Sequence, residues 1–132
     1  MITNDIAQAV TALASGKLCA IPTETVYGLA ANALDESAVA RVFAAKERPA
    51  DHPLIVHVAS ASDVSEWITE LPQWAIDLTN AVWPGPLTIV GPRTALASNS
   101  VTGNQDTVAV RVPSHPIAQE LLQQLKASGV KG

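Results

Sequence analysis

The segment KERPADHPLIVH, residues 46–57, concentrates side chains suited to handling anions. Pro49 steers Arg48 away from helical backbone, and side chains two apart on an extended chain point the same way. Lys46 and Arg48 are therefore placed to project together. An ammonium is a compact point charge and a guanidinium a planar fork, so the pair can take different oxygens of one polyphosphate. A simpler reading stays open: Lys46 complements the dipole of its own helix, and Arg48 is a solvated loop residue. His57 sits inside LIVHV, where an imidazole among branched aliphatics needs a hydrogen-bond partner. Facing the core, it is a satisfied structural histidine; facing a cleft, its neutral ring can bond a small polar substrate.

Further along, TVAVRVP places Thr107, Ala109 and Arg111 on one face of a strand and Val108, Val110 and Val112 on the other. Arg111 is costly to bury unpaired, so it must meet solvent, a protein carboxylate or a bound anion. Its fork is well shaped for an amino-acid carboxylate, and a structural salt bridge is the alternative. Thr23 and Glu24, with Tyr27 and Gly28 close behind, follow a short apolar run and could line a site at a strand end, where open α/β sheets commonly bind ligands. Helix capping by Thr23 and Thr25 and a core role for Tyr27 are equally open. The sequence carries no GxxxxGK phosphate loop, no GxGxxG, no GxSxG elbow and no paired Cys or His at zinc spacing. The common nucleotide folds and metal hydrolases are therefore poor candidates.

The elements that must hold these residues alternate between strand and helix. Asn4 or Asp5 can cap a helix in which Ile6, Ala9, Val10 and Leu13 recur at helical spacing, and Gly16 is placed to end it. Leu18 to Ile21 reads as a strand stopped by Pro22. From Asp35, DESAVARVFAAK reads as a second helix with Lys46 in its last turn. PLIVHVAS then reads as an unbroken strand buried on both faces. Helical stretches follow around Ala61 to Thr69 and Pro72 to Trp83, and PGP breaks the second before a strand at Leu87 to Val90. Thr94 to Asp106 is polar and turn-rich and reads as a loop. After the TVAVRVP strand, a helix runs from Pro116 to Lys126. This order predicts one layered α/β domain over residues 1–132.

With 48% hydrophobic residues but few aromatics, the core must be built mainly from aliphatic side chains and alanine. The formal net charge of −4 argues against a surface that coats nucleic acid, because such binding draws on many phosphate contacts, yet it permits a local cationic pocket. Cys19 is the lone cysteine and reads as a small core residue in a reducing compartment. The absence of a long apolar run and of signal-peptide order makes the cytoplasm the expected location, with no membrane partner.

Taken in order, PTETVYGLAANA, KERPADHPLIVHVA, WPGPLTIV and DTVAVRVPSHPIA resemble the YrdC-like family of threonylcarbamoyl-adenylate synthases, over nearly the whole chain. The resemblance implies a twisted open α/β sheet with flanking helices around a cationic cavity. It implies that Lys46 and Arg48, the family's Lys-x-Arg motif, contact ATP phosphates, with Thr107 on the nucleotide side. Thr23, His57 and Arg111 are implied to shape an L-threonine site. The implied substrates are L-threonine, bicarbonate and ATP with Mg²⁺, the implied catalysis needs no covalent nucleophile, and the product would pass to a tRNA-modifying transferase. An RNA-binding module using the same cavity is the alternative from another class. A carbamoyl transfer of the hydrogenase-maturation type is a third, disfavoured by the lack of the extra domains that accompany it. The family's Ser-x-Asn motif follows the helix after VAVRVP, and the sequence stops at Gly132 before it, so the resemblance implies a domain incomplete at its C-terminus.

Overall fold

The computed structural model describes residues 5–22, 27–47, 49 and 51–132. Helix α1 runs Ile6–Ala14, begun by the Asp5 carboxylate, which accepts from the Ala7 N–H. Its buried stripe of Ala9, Ala12 and Leu13 follows the helical period. A short strand β1, Cys19–Ile21, pairs antiparallel with β2, Gly28–Ala30. The second strand was not anticipated, because a three-residue segment is too short to show the alternation that distinguishes a strand. Cys19 is buried, as expected of a core residue.

Helix α2, Glu36–Lys46, starts where Asp35 accepts from the Ala38 N–H and ends where Glu47 turns left-handed at φ 52°. Strand β3, Ile55–His57, then begins a three-stranded sheet of order β3-β5-β4, in which β5 is Thr107–Arg111 and β4 is Thr88–Pro92. β3 runs parallel to β5, and β4 runs antiparallel to it. Here the expected long strand over PLIVHVAS is corrected. Only three residues are strand, extended by one further bond from the Val58 N–H to the Arg111 carbonyl, and Ile55 is exposed. The physical reason is twofold: β3 is an edge strand, so one hydrogen-bonding side lacks a strand neighbour, and the core cluster that buries Val56 does not cover the face carrying Ile55.

The stretch after β3 is a 3₁₀ turn, Ala61–Glu66, and α3 is Gln73–Val82. The expected loop at Thr94–Asp106 contains a single helical turn, α4, Asn99–Thr102. Four residues are too few to show periodicity, yet Arg93 holds this turn through Ala97 O, Thr102 Oγ1 and Asn99 Oδ1. Helix α5 runs Pro116–Ala127, and its Lys126 pairs with Asp63 at 2.9 Å.

Two apolar clusters result. Val56, Val108 and Val110, from the buried face of the larger sheet, join Val39, Phe43, Trp67 and Val101. Leu13, Cys19 and Ile21 join Leu121 and Leu125 of α5 in the other. The last residues lie between them: the Gly132 carbonyl accepts from the Ala33 N–H, and the Trp67 indole donates to the Lys131 carbonyl. Among the described residues no helix is long and apolar enough to cross a membrane.

Candidate functional site

A cavity of about 330 Å³ occupies the seam between the two clusters, walled by β2, the inner side of α2, β3 and α5. Its wall is mostly aliphatic, and among the described lining residues its polar side chains are Lys46, Asn32 and His57. Lys46 arrives there because the helix nucleated by Asp35 is eleven residues long and buries Val39, Val42 and Phe43. That register leaves Lys46 exposed in the last turn, at the cavity's rim. Asn32 accepts locally at Oδ1 from the Leu34 N–H.

His57 ends β3 and lines the cavity. Its Nδ1 lies 3.0 Å from the Ile55 carbonyl oxygen. A carbonyl can only accept, so this contact places the proton on Nδ1 and makes Nε2 the acceptor of the neutral ring. Arg111 ends β5 and is the Cα partner of His57 on one side and of Thr88 on the other. Directly paired residues share a face of the sheet, so His57, Arg111 and Thr88 form one row across three strands. The row lies at the carboxyl ends of the parallel pair β3 and β5, the edge at which open α/β sheets bind ligands.

The alternation expected for TVAVR holds: Val108 and Val110 are buried, while Thr107, Ala109 and Arg111 are half-buried. Among the described residues the ion pairs are Lys126 with Asp63 and Lys131 with Glu66, and Arg111 instead donates through Nε to Thr88 Oγ1 at 3.0 Å. The structural salt bridge considered for Arg111 is therefore absent among the described residues.

Lys46 and His57 thus share one cavity, with Arg111 one strand beyond His57. Thr107 is not brought to them. It pairs with Pro92 at the opposite end of β5, four residues from Arg111, roughly 13 Å at strand rise. Thr23, Glu24 and Arg48 lie outside the described residues. Tyr27 is 75% exposed, which removes the core role considered for it, and Gly28 lines the cavity. Thr88 was missed. Its sequence signal was only a hydroxyl just after PGPL, and its partner stands 23 positions away in the chain.

The family model Sua5_yciO_yrdC, described as telomere recombination, matches residues 11–130. The chain belongs to this family. Among its relatives, the threonylcarbamoyl-AMP synthase of Pyrococcus abyssi is 55% identical over 108 residues, covering 82% of this chain and 32% of the relative. The threonylcarbamoyl-AMP synthase of Bacillus subtilis is 44% identical over 125 residues, covering 92% of this chain and 36% of the relative. The chain therefore spans about a third of the length of these two relatives. The crystal structure of P. abyssi Sua5 complexed with L-threonine superposes with a TM-score of 0.89 at 50% identity, covering 92% of this chain and 36% of that one. The α/β family fold expected from the four sequence segments is the fold of this chain.

Proposed function

We propose that this domain makes threonylcarbamoyl-AMP and pyrophosphate from L-threonine, bicarbonate and ATP, in the cytoplasm, for threonylcarbamoyladenosine modification of tRNA. One observation carries the reading. A cation and a hydrogen-bonding imidazole face one cavity at the carboxyl ends of parallel strands, with a guanidinium beside them, in a chain 55% identical to a threonylcarbamoyl-AMP synthase.

The threonine amine adds to the bicarbonate carbon with loss of water, giving a carbamate. A carbamate oxygen then attacks the α-phosphorus of ATP, and the bond to pyrophosphate breaks. Charge accumulates on phosphoryl oxygens as this happens, so the protein's task is positioning and electrostatic stabilisation. Lys46, with Arg48, takes phosphate oxygens, and Thr107 is assigned to the nucleotide. Arg111 takes the threonine carboxylate, and His57 and Thr23 shape the threonine pocket. Mg²⁺ belongs to the substrate as its ATP complex. The mixed anhydride is the activated donor for a tRNA-modifying transferase.

The test is pyrophosphate release measured with threonine and bicarbonate each present and each omitted. Release that requires both supports the reading. Salt-sensitive RNA binding with no nucleotide turnover would instead make the cavity an RNA-binding surface.

A further inference from the structure

Thr88 lies where a rigid turn meets the row of polar residues. The turn is anchored on both sides: the buried Trp83 indole donates to the Leu87 carbonyl at 2.7 Å, and the Gly85 N–H donates to the Val112 carbonyl at 2.9 Å. These bonds fix the backbone immediately before Thr88, and β4 pairing with β5 fixes it afterwards. The hydroxyl is thus presented to Arg111 by a frame tied to the same strand that carries Arg111.

A guanidinium offers a carboxylate two bidentate edges, one made by the terminal nitrogens and one shared by Nε and a terminal nitrogen. The bond from Nε to Thr88 Oγ1 engages the second edge. It also restricts rotation of a long side chain that would otherwise sample many rotamers. The terminal edge is left as the one that meets a ligand, in an orientation set before binding.

We propose that Thr88 is a positioning residue that holds Arg111 so that its terminal nitrogens receive the carboxylate of the amino-acid substrate. This rests on the function set out above. Thr88 acts through Arg111 and does not touch the reacting atoms. Valine has nearly the shape of threonine but offers no acceptor, and serine keeps the hydroxyl, so the two variants separate hydrogen bonding from packing.

The experiment measures the affinity of this chain for L-threonine and for L-threoninamide, which lacks the carboxylate, by titration calorimetry, alongside Thr88→Val, Thr88→Ala and Thr88→Ser. Exchange of the Arg111 Nε–H is followed by NMR on the same samples. The expected result is a loss of roughly tenfold in threonine affinity for the valine and alanine variants, since an acceptor for a charged donor is removed. Threoninamide affinity should not change, the serine variant should stay close to the unaltered chain, and Nε–H exchange should accelerate only where the hydroxyl is gone. Unchanged threonine affinity in the valine and alanine variants, or equal weakening of both ligands, would overturn the positioning role alone. If the unaltered chain fails to prefer threonine over threoninamide, the functional reading falls and the role of Thr88 falls with it.

Discussion

Replacing Lys46 with alanine separates two physical roles whose magnitudes differ. Lys46 is exposed, so its removal leaves no cavity in the core, and any change in ligand handling cannot be assigned to lost packing. As a cation in the last turn of α2, it contributes about 0.3–1 kcal/mol to stability through the helix dipole. The higher helix propensity of alanine offsets a few tenths of that. The expected fall in melting temperature is therefore at most about 4 °C for a domain of this size. As a phosphate ligand at the cavity rim, it contributes about 1.5–3 kcal/mol per charge-assisted contact, or roughly tenfold to a hundredfold in ATP affinity. The two quantities are read by thermal unfolding and by ATP titration of the same preparation. A variant with a slightly lowered melting temperature and weakened ATP binding fits both roles. A variant with the same small stability loss and unaltered ATP affinity would refute the phosphate assignment and leave only the dipole.

Other substitutions probe the parts that hold the site. Arg111→Ala is expected to weaken threonine binding far more than ATP binding, as separate titrations of the two ligands will show; a fall in melting temperature alone would return Arg111 to a structural role. Trp67→Ala removes a side chain with no exposed surface and its indole bond to Lys131, and should cost about 3–5 kcal/mol in denaturant unfolding. Gly103→Ala should destabilise by about 1–3 kcal/mol, because Gly103 sits at φ +61° and an added Cβ would collide with the Asp51 carbonyl oxygen. Asp35→Ala should cost about 1 kcal/mol by removing the acceptor of the Ala38 N–H, and Asp35→Asn should recover most of it.

The sequence by itself determined what depends on short-range chemistry. Asp5 and Asp35 announced their helices because a carboxylate just before an amphipathic run satisfies amides that the helix cannot. The two faces of TVAVR were legible because strand side chains alternate, and Lys46 was placed at a helix end by counting turns. The four family segments identified the fold through residues that lie together in the chain. What is close in space but distant in sequence was decided only by tertiary structure. The pairing of β3 and β4 with β5 sets His57 and Thr88 on either side of Arg111, and no local pattern encodes which strands become neighbours. The same pairing sends Thr107 to the far end of its strand and leaves β3 at an edge, and the core that packs on Val56 leaves the Ile55 face of the same apolar run open. Register and strand order follow from how the apolar faces of all the elements close on one another, so they belong to the assembled chain and not to any segment of it.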